Sequence, residues 1–463
     1  MCIYTKKINL PLELREILRY LQEEGFRAVL VGGCVRDFFL ELPIKDYDIE
    51  VFNIKDYDTL VSKLEKFGKI NLVGKSFGIL KLQTKNHEFD FALPRLETKV
   101  GLGHKGFDVE INPKLSFKQA SLRRDFTINA LGYDYNSDEI LDYHKGLDDL
   151  KTKTLKHINE KTFIEDPLRV YRAIQFCARF EFNLDKKTFL LCKALVDSNA
   201  LDELPKERIY DEFKKLFLKS SKPSLGFTLL KDLGILKYYE ELEALLSCEQ
   251  DREYHPEGNV WIHTLMTLDE MAKIKTGNNK RDLMLFLSLL CHDLGKPFCT
   301  EEINGHITSY KHESLGIKPT ISFLNKLLDD KKLIEEVCLM VKYHLIPFAF
   351  FKQNPSLKAI KRLSTKVNIE NLCLVCLADC LGRDIKDKEK CPKAIEYLLN
   401  EAKKLDIHNE PLKKLVLGRD LLSMGFKPSK AFKTILDFAY DLQIDENKNK
   451  EEIFTEIQKK FRV

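Results

Sequence analysis

Apolar positions in the first 140 or so residues come in short runs of strand length. FRAVLVGG is a β-rich run closed by glycines, while YDIEVF, GILKLQT and HEFDFAL alternate or run apolar. Between them, VRDFFLEL reads as the start of a helix. These signals predict a mixed α/β head. From about Lys161 the period lengthens to that of a helix. EDPLRVYRAIQFCARF, PKERIYDEFKKLFL and KKLIEEVCLMVKYHL all place apolar residues at i, i+3, i+4 and i+7. Breaks are expected at SSKPSLG near 220, CEQDREYHPEGN near 250 and DIKDKEKCPK near 388. No repeat or low-complexity segment interrupts the pattern. The chain reads as a strand-bearing head followed by a long helical remainder.

Composition narrows this picture. At 463 residues, 44% hydrophobic and 32% charged, the chain has the make-up of an ordinary globular protein; its length implies about two to four domains. Its net charge of +4, from 75 basic and 71 acidic residues, is nearly balanced. A nucleic-acid surface would therefore have to arise from local clusters of Lys and Arg. The longest apolar stretch, LMLFLSLLC at Leu283–Cys291, falls short of the roughly 20 residues that span a bilayer. It ends in a His-Asp pair and reads as a buried helix. The leading MCIYTKKINLPLELREIL lacks the apolar core and cleavage site of a signal peptide, so no membrane association and a cytoplasmic place are expected. Of the 12 cysteines, Cys373, Cys376 and Cys380 share one apolar helix face in NLCLVCLADC. Core filling by free thiols is the expectation there, rather than zinc ligation.

Candidate chemistry begins in VGGCVRDFFLELPIKDYDIEVF, Val31–Phe52. Side chains at i and i+2 of a strand share a face, so Asp46 and Asp48 direct two carboxylates at one point within an apolar segment. Such a pair repels itself and resists desolvation, and a divalent metal offsets that cost; hard oxygen ligands suit Mg²⁺. Gly32 and Gly33 precede a helix, where backbone without a side chain can approach phosphate closely. Asp90 in HEFDFALPR is a buried-looking acid on a third strand that completes the cluster. Asp-x-Asp or Gly-Gly alone is weak; the order of glycines, helix, strand Asp-x-Asp and strand Asp is far more specific.

In this order the sequence resembles the class II tRNA nucleotidyltransferase/poly(A) polymerase family, a branch of the polymerase-β-like nucleotidyltransferases. The motifs GGCVRD, KDYDIEVF, RRDFTINA, KGLDDL, EDPLRVYRAIQFCARF and KERIYDEF follow one another through the first half of the chain. The resemblance implies that Asp46 and Asp48 are catalytic ligands of Mg²⁺, supported by Asp90, and that Gly32, Gly33 and Arg36 cradle the triphosphate. It implies that Arg124, Asp125 and Asn129 recognise the ribose, and that Asp166 and Arg169 read the Watson–Crick edge of the incoming base. A carboxylate accepts from the exocyclic amine that cytosine and adenine share, while Arg donates to ring nitrogen or carbonyl oxygen. Arg169, Arg172 and Arg179 form either a solvated face or contacts to nucleotide and RNA phosphates; the motif favours the second. GLGHKGFD, Gly101–Asp108, is either a plain hairpin loop or the mobile loop that the family uses in adding A.

A second constellation lies downstream in YHPEGNVWIHTL, LLCHDLGKP, SYKHESLG, KYHLIP and LADCLGRD. A lone helical histidine is usually a core residue. Here His292 and Asp293 are adjacent at the end of an apolar helix, and Asp379 interrupts an apolar segment where its charge needs compensation. Imidazole with carboxylate suits Ni²⁺, Co²⁺, Mn²⁺, Fe²⁺ or Zn²⁺. This order resembles the HD-domain phosphohydrolases. The match implies His263, His292, Asp293 and Asp379 as core metal ligands, with His312 and His344 toward a second metal. It also implies metal-dependent hydrolysis of 2′,3′-cyclic phosphates or nucleotide phosphoesters.

Taken together, the resemblances imply an α+β polymerase-β-like nucleotidyltransferase head at 1–142, an all-α neck at 143–245 for nucleobase and RNA, an HD domain at 246–388 and a helical tail at 389–463. In the tail, Lys427, Lys430 and Lys433 gather near a helix start, as a solubilising face or as a hold on tRNA. The expected activity is template-independent addition of C and A to the tRNA 3′ end from CTP and ATP. Partial CC- or A-adding and poly(A)-synthesising enzymes share these motifs. An HD phosphohydrolase whose head only binds RNA is the alternative of another class. The oligomeric state is not legible.

Overall fold

The computed structural model describes residues 8–74, 78–99, 101, 107–385 and 388–461. The chain divides into two compact units, Met1–Ile235 and Leu236–Val463. Of the glycine-rich stretch Gly101–Asp108, residues 102–106 lie outside the described residues.

The first unit is built on a seven-stranded sheet. Its strands are β1 (Arg27–Val31), β2 (Tyr47–Phe52), β3 (Lys69–Gly74), β4 (Ile79–Gln83), β5 (Glu88–Ala92), β6 (Gly132–Asp134) and β7 (Glu139–Leu141). They lie in the order β3-β4-β5-β2-β1-β6-β7. All neighbours are antiparallel except β2 and β5, which run parallel. The four runs that read as strands in the sequence become β1, β2, β4 and β5. Burial of Ala28, Val29, Leu30, Ile49, Val51, Phe89 and Phe91 explains why their residues prefer the sheet. Between β1 and β2 the chain turns through Gly32 into the short Gly33–Phe39 helix. Gly32 has φ +72°, and a Cβ there would meet Arg124 Nη1 at 2.8 Å; only glycine suits this turn.

Beyond the sheet the first unit is largely helical. The Leu168–Phe180 helix buries Val170, Tyr171, Ile174 and Cys177 and packs against Lys206–Lys219, which buries Phe213, Leu216 and Phe217. Helical periodicity predicted both. Short strands also occur within the largely helical remainder. Thr154–Leu155 pairs with Asn183–Leu184, and in the second unit Thr300–Ile303 pairs with His306–Ser309. The first pair is two residues long and the hairpin strands are polar, so neither carries an apolar alternation that the sequence pattern could mark.

The Asn279–Cys291 helix is buried continuously from Asp282 to Cys291, as its apolar run predicts. It packs with the Val260–Lys273, Lys331–Tyr343 and Ile369–Leu381 helices. The expectation of free thiols is corrected at Cys380, which forms a disulfide with Cys391. The neighbouring Ile369–Leu381 and Lys390–Lys404 helices bring the two Cα atoms to 5.8 Å, a separation suited to bridging. Cys373 and Cys376 are buried free thiols. The last helices, Gly418–Ser423, Ala431–Asp445 and Lys450–Lys460, share a small core of Leu421, Ile435, Leu442, Ile453 and Ile457. Lys427, Lys430 and Lys433 are exposed. Among the described residues no helix is long and apolar enough to cross a membrane.

Candidate active site and metal centre

In the head, the parallel pairing of β2 with β5 sets Asp48 opposite Asp90. Asp46 stands one residue before β2, and it lines the same cleft of about 400 Å³ as Asp48, Gly33, Arg36, Lys45 and Arg179. Asp48, Asp90, Glu50 and Arg124 border a second hollow of about 190 Å³. The expected burial of these acids is corrected: Asp46 and Asp48 are exposed, and Asp90 keeps a third of its side-chain surface. Their apolar sequence neighbours Tyr47, Ile49 and Val51 face the core instead, because alternate residues of a strand point to opposite sides. Although water reaches Asp48, the protein around it pushes its carboxyl above the usual range, and Asp90 and Asp46 add repulsion that Arg124 partly offsets. A divalent cation would relieve that repulsion, so these hard carboxylate oxygens fit Mg²⁺. Lys81 Nζ lies 3.0 Å from Asp90 Oδ1 and 2.8 Å from Glu88, a cationic neighbour that sequence reading did not single out.

Behind the acids stands a lattice of arginines. Arg36 is buried; it donates to Asp37 Oδ1 at 2.8 and 2.6 Å and to Asn129 Oδ1 at 2.5 Å, and lies over the Phe180 ring. Asn129 Nδ2 donates to Asp125 Oδ1 (3.0 Å), and Arg172 Nε donates to Asp125 Oδ2 (2.7 Å). Against the cost of burial, Arg172 and the Asn129 amide hold the Asp125 carboxyl below its usual range. Glu50 receives Arg123 at 2.6 Å and Arg124 at 3.0 Å; these guanidiniums keep it ionised despite burial. Glu50 shares the face of Asp48, two residues on, and its spacing was the available signal for it.

The proposed base readers are engaged within the protein. Arg169 donates from Nη1 to the Thr162 carbonyl (2.7 Å) and from Nη2 to the Arg123 carbonyl (2.6 Å). Arg208 Nη2 donates to Asp166 Oδ2 (3.1 Å). Neither Asp166 nor Arg169 is among the described residues lining the two hollows around Asp48. Arg179 lies 3.6 Å from Asp37 and stacks over Phe180.

In the second unit all six predicted histidines and aspartates converge. His263 sits on the Val260–Lys273 helix and Asp379 on Ile369–Leu381, while His292 and His344 cap the C-termini of Asn279–Cys291 and Lys331–Tyr343. Donor atoms of His263, His292 and Asp379 lie within 4.8 Å of one another, as do those of Asp293, His312 and His344. Both groups are buried. Asp293 touches both: Oδ2 is 3.2 Å from His292 Nε2, and Oδ1 is 3.4 Å from His312 Nε2. His292, His312 and His344 each turn Nδ1 to a backbone carbonyl, of Leu289, Ser309 and Val341. That contact fixes the tautomer and leaves Nε2 as a lone-pair donor toward the centre. His292 Nε2 approaches Asp293 without hydrogen-bond geometry and has no such partner among the described residues. This donor set fits a divalent transition metal.

Surrounding groups tune the centre. Burial opposes charge on Asp293, yet His292 and Lys296 hold its carboxyl well below the usual range; Arg383 and His263 do the same for Asp379. Burial is overcome at His292, which Asp293 and Asp379 raise, but wins at His344, which falls to about 3. Sequence reading missed Glu257, whose Oε1 lies 2.9 Å from His263 Nδ1 and 2.9 Å from His255 Nδ1. An acid shortly before a capped helix was its only signal. Lys296, 2.8 Å from Asp293 and donating to Gln250 at 2.6 Å, was likewise missed, although it stands in the quoted LLCHDLGKP.

Comparison with known proteins agrees with this layout. Residues 28–156 match the family model for the poly A polymerase head domain, and 181–246 match that for the probable RNA and SrmB-binding site of polymerase A. The multifunctional CCA protein of Mannheimia succiniciproducens is 34% identical over 77% of this chain and 84% of its own length. That of Pasteurella multocida is also 34% identical, over 77% and 84%. The Bacillus stearothermophilus CCA-adding enzyme in complex with CTP has the same fold, with TM-score 0.65 at 19% identity over 98% of each chain. The Thermotoga maritima CCA-adding enzyme complexed with tRNA superposes with TM-score 0.58 at 19% identity over 99% of each chain.

Proposed function

Because the chain belongs to the class II CCA-adding/poly(A) polymerase family, we propose that it adds C and A to the 3′ end of tRNA from CTP and ATP, releasing diphosphate. The observation that carries this reading is the pairing of Asp48 with Asp90 beside Asp46, in a cleft that also holds Gly33 and Arg36. Asp46 and Asp48 would hold Mg²⁺, with Asp90 in support; the ion supplies a Lewis acid for the attacking hydroxyl and the triphosphate. Gly32, Gly33 and Arg36 cradle the triphosphate, and the Arg124–Asp125–Asn129 group meets the ribose. Asp166 and Arg169 read the base once substrate draws them from Arg208 and the Thr162 and Arg123 carbonyls. Arg172 and Arg179 support this wall. Residues 1–142 form the catalytic head, 143–245 the neck, 246–388 the HD domain and 389–463 a tRNA-holding tail. A tRNA substrate implies a cytoplasmic place.

The test incubates the protein and Mg²⁺ with tRNA ending before CCA, after C and after CC, each with CTP or ATP. Stepwise extension that stops at CCA is expected. Extension limited to C or to A marks a partial enzyme, and open-ended A addition marks a poly(A) polymerase. No incorporation on any substrate would overturn the reading.

A second activity is favoured by the six-residue His/Asp convergence. In this reading His263, His292, Asp293 and Asp379 hold one transition metal, with His312 and His344 toward a second, and the centre hydrolyses phosphoesters such as 2′,3′-cyclic phosphates. Ni²⁺, Co²⁺, Mn²⁺, Fe²⁺ and Zn²⁺ are the candidates. Phosphatase and cyclic phosphodiesterase assays with each ion check it. No hydrolysis with any of them, in protein that still extends tRNA, would leave the cluster a structural element.

A further inference from the structure

Neighbouring strands of the head carry a row of charges across the sheet. Asp48 on β2 stands opposite Asp90 on β5, and Asp90 stands opposite Lys81 on β4. Residues directly opposite one another in adjacent strands share a face, so the row reads acid, acid, base. The other face of these strands is the core side, where Ile49, Leu80, Leu82, Phe89 and Phe91 are buried. Hydrophobic burial thus fixes the register, and the register fixes which charges meet.

Lys81 covers both oxygens of Asp90. Its Nζ lies 3.0 Å from Oδ1 and donates to Oδ2 at 3.3 Å. Glu88, two residues before Asp90 and on the same face, accepts from that Nζ at 2.8 Å. Glu88 and Asp90 push the lysine ammonium above its usual range, so it stays charged at neutral pH. Lys81 and Asp90 keep 43% and 33% of their side-chain surface, and an ion pair so open to water contributes little to stability. Its consequence is local: an ammonium and a metal ion compete for the same carboxylate oxygens. Asp46 and Asp48, by contrast, line the open cleft, and Lys81 is not among the described residues lining either hollow around Asp48.

We propose that Lys81 is a positioning residue of the nucleotide-transfer site: it holds Asp90 paired, so that Asp46 and Asp48 take up the divalent ion and Asp90 joins them only by leaving its lysine. The inference rests on the reading of Asp46, Asp48 and Asp90 given above and adds what sets the affinity of that site, which Lys81 weakens. Removing the ammonium leaves the acids with one counter-charge fewer, and their attraction for a divalent cation rises. Arginine at the same strand position keeps the charge. Since Lys81 touches acids and lines neither hollow, its loss leaves nucleotide binding as it was.

The experiment follows Mn²⁺ binding by electron paramagnetic resonance in full-length wild type, Asp48→Ala, Lys81→Met and Lys81→Arg. The binding event that Asp48→Ala removes belongs to the head. Its dissociation constant is expected to fall about three- to tenfold in Lys81→Met and to stay within about twofold of wild type in Lys81→Arg. The Mg²⁺ concentration for half-maximal C addition to tRNA should fall by a similar factor in Lys81→Met, with KM for CTP unchanged. Unchanged or weaker Mn²⁺ binding in Lys81→Met overturns the proposal, as does Lys81→Arg behaving like Lys81→Met. A raised KM for CTP would put Lys81 on the nucleotide and also overturns it. If Asp48→Ala removes no Mn²⁺, the reading of the acids as the metal site fails and the role of Lys81 falls with it. Loss in Asp48→Ala without tightening in Lys81→Met overturns the role of Lys81 alone.

Discussion

Glu50 is 1% exposed and holds two guanidiniums, Arg123 and Arg124, at once. Removing its charge leaves Arg123 only the longer contact to Glu97 and Arg124 only the Asn129 carbonyl, so Glu50→Gln should cost about 3 kcal/mol in urea unfolding; a cost below about 1 kcal/mol would mean these remaining partners suffice. His344 offers a pH test. Its folded value of about 3 lies below the 6.5 of a free histidine. Below pH 6.5 the unfolded chain takes up a proton that the folded chain refuses. Stability from this group is full above that pH and drains as pH falls toward 3, at up to about 1.4 kcal/mol per pH unit. In metal-free protein, His344→Asn should flatten the loss of stability between pH 6.5 and 4.5, read from urea midpoints; parallel curves would count against it. At this scale the sequence was partly legible. Asp46 and Asp48 stood out because a strand repeats every second residue. Their exposure did not, because Tyr47, Ile49 and Val51 disguise the face they turn to water. Arg208, the partner of Asp166, lies 42 residues away, and Glu257 meets His263 and the Asp384 amide only once the chain has folded. Neither pairing leaves a local pattern.

Among elements, the turn after Asp293 depends on Gly295. A Cβ there would meet the His312 carbonyl oxygen at 2.0 Å and the Gly316 nitrogen at 2.6 Å. Both belong to the His312–Leu315 helix and its end. Gly295→Ala should push that helix away and separate His312 from Asp293. We expect about tenfold weaker binding of Mn²⁺ or Ni²⁺ by calorimetry, and unchanged affinity would show that close approach does not set the site. Long helices were readable in advance because their apolar stripes repeat over many residues, as in Leu168–Phe180 and Lys331–Tyr343. The Thr300–Ser309 hairpin was not, since its strands are polar and mostly solvent-facing. The Cys380–Cys391 pairing also escaped notice: it joins two helices across a break, and only their packing makes them neighbours.

For the whole molecule, each site draws its described residues from one unit, Asp48 and Asp90 from the first and Asp293 and Asp379 from the second. The two activities should therefore separate. Asp48→Ala is expected to lower nucleotide addition about 10²- to 10³-fold with phosphoester hydrolysis retained, and Asp293→Ala to do the reverse. Parallel assays of both variants check this; loss of both activities in either one would mean the sites are not independent. The near-balanced net charge of +4 gave no hint of a nucleic-acid partner, because a total cancels local clusters of Lys and Arg against acids elsewhere. One feature of the head bears on how the chain reaches its native state. In β2, Tyr47, Ile49 and Val51 face the core while Asp48 and Glu50 face the other way, with Val31 opposite Asp48 and Val29 opposite Glu50. A one-residue slip would turn Asp48 toward the side that Ile49 and Val51 occupy and take the buried Glu50 away from Arg123 and Arg124, and burying unpaired charge is costly. Asp48 and Glu50 thus also weigh against a misregistered strand, whatever they do in the cleft.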